Sequence, residues 1–343
     1  MKILYAIQGT GNGHLSRAID VIPALKKIGQ VDVLVSGQSI QLEVPFSIKY
    51  NRKGLTFRTN SRGGISYFKT FIFSSFITFV KEICLFPIRD YDLVVSDFEP
   101  VSAWSSKIFG VKCIEVSHQS AILMKNSPRP SLHYPFSQWI LRNYCPSEYK
   151  LGIHFSNYNQ DIFTPVIRSS VRYLKIRDDN FFLVYLPGYI DEKVISFLSK
   201  FKVNWKLYSK YTRVPYRVQN VIVKPIDNKN FLNDLGACSG VFCGAGFELP
   251  SEVMYLQKKL VVIPLKGQFE QICNAHCLKL LGISVVNSLN SCETLSIQRW
   301  IDEPNCIVEL NYKDCTDAIA QRINFIYQRS LLTEHQLSKL KSM

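Results

Sequence analysis

The chain has 343 residues, 39.4 kDa, with 47% hydrophobic and 20% charged residues; this excludes a disordered chain and fits two middling domains better than one. The net charge of +14 is spread along the chain, with 18 Lys+Arg against 10 Asp+Glu over residues 1–160 and 23 against 17 over 161–343. That spread argues against the single basic stripe of a nucleic-acid binder and leaves anionic ligands and anionic membrane surfaces as the expected partners.

Lys2–Gln8 reads as a first, buried strand and not as a signal peptide, since no small-residue cleavage site follows it. Gly9-Thr10-Gly11-Asn12-Gly13-His14 then forms a glycine-rich turn into a helix over His14–Ile28, with apolar residues at Leu15, Ala18, Ile19, Ile22 and Leu25. A dinucleotide fingerprint fails here: its third glycine is replaced by His14, and Ser36-Gly37 stand where the ribose-binding acid belongs. His14 at a helix start, over the carboxyl edge of a parallel sheet, suits a neutral general base. Val31–Val35 reads as the second strand.

Residues 52–90 combine Arg52, Lys53, Arg58, Arg62 and Lys69 with Phe68, Phe71, Ile72, Phe73, Phe76, Ile77, Phe79 and Val80. The stretch Thr70–Val80 falls short of the ~20 residues of a membrane span. Residues 65–86 therefore read either as a helix packed on the first sheet or as an interfacial helix in an anionic headgroup zone. Leu93–Val95 is a continuous apolar run, as a buried parallel strand requires. Asp97 follows at its end, as a partner orienting His14 or as the cap of a helix over Val101–Phe109; Glu99 and His118 are weaker site candidates. Val111–Val116 is a further strand.

The strand–helix rhythm restarts after residue 160, with strands at Phe181–Leu186, Trp205–Tyr208, Val221–Val223, Gly240–Cys243 and Leu260–Ile263. The fold class is α/β: two Rossmann-like, doubly wound parallel sheets facing a cleft, with domains at 1–160 and 161–325. Asn157–Arg177 is the linker, and a C-terminal helix, 326–343, is expected to return to the first domain. Cys243-Gly244-Ala245-Gly246-Phe247 is a strand running into a turn and a helix start, a place for a diphosphate. Glu252, six residues after Gly246, can accept both hydroxyls of a ribose. Glu270 and Gln271 offer hydrogen-bonding groups to a polyhydroxylated ligand. Ten cysteines without a Cys-x-x-Cys pair suggest reduced thiols in a cytoplasm; Cys273, His276 and Cys277 lack a fourth ligand and a common face, so no metal is expected.

Together these motifs resemble a nucleotide-sugar glycosyltransferase of the GT-B fold. The chain is similar to the inverting group that holds the UDP-glycosyltransferases and the peptidoglycan lipid-linked N-acetylglucosaminyltransferase. The resemblance implies His14 and Asp97 as the catalytic pair and an acceptor-side loop of Gly11, Asn12 and Gly13, with Arg17 and His118. It implies a donor diphosphate on Gly244, Ala245, Gly246 and Phe247, a ribose on Glu252, and a sugar on Glu270 and Gln271. Pro264 to Asn274-Ala275 completes the group's donor-site pattern. The implied partners are a nucleotide sugar, UDP-linked in this group, and an acceptor hydroxyl, lipid-linked or a cell-envelope glycan precursor, at the inner face of the membrane; no cofactor, metal or nucleic acid is implied. The alternative is a GT-B epimerase or hydrolase acting on UDP-GlcNAc alone, with Glu99 and Glu270 as its carboxylates.

Overall fold

The computed structural model describes residues 1–9, 12–37, 44–55, 74–131, 134–305, 310 and 312–341. Seven strands form the first sheet: β1 (Lys2–Gln8), β2 (Gln30–Ser36), β3 (Tyr50–Arg52), β4 (Leu93–Asp97), β5 (Lys112–Ser117), β6 (Tyr149–Ile153) and β7 (Ile162–Phe163). Their order is β3-β2-β1-β4-β5-β6-β7, with every pair parallel. The second sheet holds β8 (Phe182–Tyr185), β9 (Trp205–Ser209), β10 (Tyr216–Val218), β11 (Val221–Pro225), β12 (Gly240–Gly244), β13 (Lys259–Ile263) and β14 (Ser284–Val285). It runs β10-β11-β9-β8-β12-β13-β14, and only the edge pair β10–β11 is antiparallel. A parallel strand covered on both faces has to be apolar throughout, and Ile3 to Ile7 are accordingly all buried.

Strand order reverses between β1 and β4 in the first sheet and between β8 and β12 in the second. Crevices open at the carboxyl ends of the strands at such reversals. Register sets Ile7 beside Asp97, so the glycine turn after β1 and the carboxylate ending β4 emerge together.

The helix after β4, Pro100–Phe109, corrects one expectation. Its cap is Glu99, whose carboxylate accepts from the N–H groups of Val101 (2.8 Å) and Ser102 (2.7 Å). Pro100 occupies the first turn and Gly110, at φ 72°, closes the helix. Glu99→Ala is expected to lower stability by roughly 0.5–2 kcal/mol, read as a shift of the urea midpoint, because two helix-start N–H groups lose their acceptor. Asp97 is thereby released from capping.

Two further boundaries differ from expectation. β7 pairs onto β6, so the first sheet extends past residue 160; a two-residue strand carries too little pattern to be read. The C-terminal helix is one element, Thr316–Lys341, and its packing begins well before residue 326. It lies along the first helix, Asn12–Lys26. Asp317 pairs with Lys27 (2.6 Å) and Arg322 with Asp161 (2.7 Å), and Ile319, Ala320 and Ile323 are buried. The chain thus passes between the sheets twice, through 164–181 and again between the helices Thr294–Asp302 and Thr316–Lys341. The two passages are tied together: Arg172 Nη1 donates to the Tyr312 carbonyl (2.8 Å) and Cys315 Sγ to the Thr164 carbonyl (3.3 Å).

The aromatic segment lies partly outside the described residues, including Phe68, Phe71, Ile72 and Phe73. Its helix Ser74–Leu85 buries Phe79 and Ile83 against Val101 and Trp104. The opposite side leaves Ile77 61% and Leu85 80% exposed, with Phe76 and Val80 also exposed. Among the described residues no helix is long and apolar enough to cross a membrane.

Candidate active site

His14 stands in the first turn of the helix Asn12–Lys26, and its Nδ1 lies 2.8 Å from Asp97 Oδ1. Asp97 is fully buried. Arg17 Nη2, which only donates, lies 3.0 Å from the same Nδ1; with Asp97, the closer partner, accepting the Nδ1 proton, Nε2 is the nitrogen left to take one. The turn carrying Asp97 is strained: Phe98 adopts φ 54°, a left-handed conformation rare for a bulky residue. Its ring stacks on Tyr144 at 4.7 Å.

Arg17, one turn beyond His14, grips the same carboxylate. Nη2 donates to Asp97 Oδ1 (2.7 Å) and Nε to Oδ2 (3.0 Å). Burial alone would raise the Asp97 carboxyl; Arg17 and then His14 outweigh it and hold it down at about 2. The remaining guanidinium nitrogen, Nη1, donates across the cleft to Glu248, the first residue of the helix Glu248–Tyr255. Burial, reinforced by nearby Glu252 and opposed by Arg17, pushes Glu248 up to about 7. A Cβ on Gly13 would lie 2.9 Å from Glu248 Cγ, so any larger residue there has to displace the Glu248 side chain.

Gly13 and Ser16 share one cavity of about 760 Å³ with Gly244, Gly246, Phe247 and Glu252, within the usual range for a small-molecule site. The loop Pro187-Gly188-Tyr189 after β8 lines it too, as do Lys210, Thr212 and Arg213 after β9. Two of the expected diphosphate residues are redefined. Ala245 is fully buried, with its N–H given to the Ile263 carbonyl (3.1 Å) and its own carbonyl accepting from Asn274. The Phe247 side chain is buried as well. Gly246 is open, with nothing near a would-be Cβ.

Glu252 borders the cavity, but both its oxygens are taken by Arg168, at 2.5 and 2.8 Å. Arg168 is a cavity residue the sequence reading missed. Gln271 lines the cavity, its Oε1 accepting from the Leu265 N–H (2.9 Å). Glu270 accepts from Gln119 of the first domain (3.1 Å). His118 is not on the surface of the acceptor side: it is buried between the domains, stacked on Phe247 at 3.9 Å. Gly11 lies outside the described residues; Asn12 begins the first helix. No group of three or more His, Cys, Asp or Glu with metal-binding geometry occurs among the described residues. Cys277 instead meets the Tyr158 hydroxyl at 2.8 Å.

Sheets of this topology facing one cleft define the GT-B fold. The same architecture occurs in spinosyn forosaminyltransferase SpnP (TM-score 0.58, 12% identity, both chains covered in full). It occurs in MurG of Acinetobacter baumannii (TM-score 0.55, 12% identity, 96% of this chain and 99% of that one). Phytolacca americana UGT2, solved with UDP-2-fluoro-glucose and pterostilbene, is similar (TM-score 0.58, 12% identity, 96% and 94% covered). No curated protein matches the chain in a sequence comparison. The model of glycosyl transferase family 1 matches residues 1–303, and the chain belongs to that family; it is a glycosyltransferase using nucleotide sugars.

Proposed function

We propose that the enzyme transfers a glycosyl group from a UDP-linked sugar to an acceptor hydroxyl with inversion at the anomeric carbon. The observation that carries this reading is the meeting, on one cavity, of Gly13 and Ser16, which flank His14 on the first helix, with Gly244 and Gly246. His14 Nε2 takes the acceptor proton. The acceptor oxygen bonds to the anomeric carbon as the bond from that carbon to the diphosphate breaks. The departing charge rests on the free N–H groups of the turn and the start of the helix Glu248–Tyr255. The ribose falls to Glu252, with Arg168 presetting its carboxylate. Solved structures of this fold, such as that of Phytolacca americana UGT2, hold UDP-sugars, which favours UDP.

Donor-only chemistry is disfavoured. Of its two candidate carboxylates, Glu99 is a helix cap and Glu270 is engaged by Gln119.

A panel of UDP, dTDP, GDP and ADP in thermal melts tests the donor assignment. UDP at 100 times its Kd is expected to stabilise the protein by about 2.7 kcal/mol. Glu252→Gln should lose most of that gain. No shift with any diphosphate would sink the reading.

The acceptor in this reading is lipid-linked. The outward face of the helix Ser74–Leu85, with Ile77 and Leu85 exposed beside Lys81, lies in the headgroup zone of an anionic cytoplasmic leaflet. The expected result is co-sedimentation with vesicles containing anionic lipid and much less with zwitterionic ones. Ile77→Ser with Leu85→Ser should release the protein; equal sedimentation of variant and wild type would contradict the assignment.

A further inference from the structure

His118 is held by a chain of three polar contacts that leads to the diphosphate turn. Nδ1 lies 2.9 Å from the Ile153 carbonyl, and Nε2 lies 2.7 Å from Asn274 Oδ1. Asn274 Nδ2 in turn donates to the Ala245 carbonyl at 3.1 Å. Both ends of this chain are carbonyl oxygens, which only accept. Asn274 has to donate to Ala245, so its oxygen faces the imidazole. Exchanging the amide oxygen and nitrogen only moves the conflict to Ala245. Nδ1 has to donate to Ile153. Nε2 then has to donate to Asn274. The three bonds exist together only when both ring nitrogens carry protons; a neutral ring leaves one of them unmade.

The surroundings are balanced. Burial pushes His118 below the ordinary imidazole range. Glu270, on the helix Phe269–Leu280, favours the charged ring, and Arg17 on the first helix opposes it. His154, 5.0 Å away beyond β6, is itself held neutral by burial. On the remaining side the ring lies nearly parallel to Phe247, 9° between planes, with the open turn at Gly246 just beyond.

We propose that His118 is a positioning residue that takes up a proton when a nucleoside diphosphate binds at Gly244–Phe247, the imidazolium completing the chain Ile153–His118–Asn274–Ala245 behind the phosphates. The inference rests on reading that turn as the diphosphate site. Phosphate charge on one side of the turn stabilises the cation on the other, and by reciprocity the cation strengthens phosphate binding. Because binding consumes a proton, affinity falls as pH rises, by at most about tenfold per pH unit between the free and bound pKa values.

The test is calorimetric titration of the full chain with UDP in two buffers of different ionisation enthalpy at pH 7.5, for wild type and His118→Gln. The terminal phosphate of UDP exchanges protons equally in both proteins, so the difference between them reports on His118. The wild type should take up more protons, by up to one, and show the steeper pH dependence. A purely structural role would weaken UDP binding to the variant without altering the proton count. A second measurement needs no variant: ¹⁵N NMR of the imidazole should find both ring nitrogens of His118 protonated in the UDP-saturated protein and one in the free protein. Equal proton counts, or a bare ring nitrogen in the saturated protein, overturn the inference alone. Failure of both UDP and dTDP to bind overturns the diphosphate reading and this inference with it.

Discussion

Replacing His14 by alanine should cut turnover by about 10²–10⁴-fold, the usual worth of a general base, while UDP binding survives. The separation follows from position. His14 and Asp97 belong to the first domain, whereas Gly244, Gly246 and Glu252 belong to the second. Asp97→Asn should act on the same quantity, since an amide no longer selects the tautomer that leaves Nε2 basic. For both variants the check is kcat against KM once a donor and acceptor pair is in hand. A His14→Ala enzyme of full activity would remove the base assignment and leave the donor site standing.

Arg17→Met carries the largest expected cost to stability, about 3–5 kcal/mol, because it takes the guanidinium from the buried Asp97 carboxylate instead of merely losing a contact. Arg17 is itself 2% exposed and serves Asp97 from the first domain and Glu248 from the second. Lysine should not restore the loss, because one ammonium cannot reproduce the fork that reaches three oxygens. Adding Asp97→Asn to Arg17→Met should recover part of it, since the unpaired charge is removed. Urea unfolding measures all three; a loss below about 1 kcal/mol for Arg17→Met would mean that the pair is solvated after all. The pH dependence follows from the same pairing. Asp97 is held near 2, below its unfolded value near 4, so its contribution is complete above pH 4. It drains away as pH falls from about 4 to about 2, and Asp97→Asn should flatten that part of the curve.

The strands β1 and β4 were legible in the sequence because burial on both faces leaves an unbroken apolar run, Ile3–Ile7 in the first and Leu93–Val95 in the second. The edge strands β3, β7, β10 and β14 were not, because two or three residues carry no period; nor was β6, whose Tyr-Lys-Leu-Gly-Ile mixes polar and apolar residues. Among site residues, Gly13, His14 and Gly246 announce themselves by residue type at a strand-to-helix turn. Arg17 was placed on the acceptor side; besides His14 three positions before it, its partners lie 80 and 231 positions away in sequence. Its spacing of three from His14, which puts both on one helix face, was the available signal. Arg168 gave none: it sits in a polar linker, and only the fold brings it to Glu252. His118 was noticed for lying near a strand end, which is also where a buried interdomain contact lies; residue type does not separate the two.

The double passage of the backbone between the domains restricts how this enzyme can open. A single tether would let one half swivel in any direction. Two tethers pinned to each other by Arg172 and Cys315 leave a door on paired hinges, with its swing axis through those passages. The Arg17–Glu248 bridge sits beside those hinges: Asp20, one turn after Arg17, holds Ser169 of the first passage, and Arg168 of the same passage holds Glu252, one turn after Glu248. A few degrees of swing about that axis would move the bridge least, so the two halves would part first at contacts remote from the passages and keep the bridge as part of the spine.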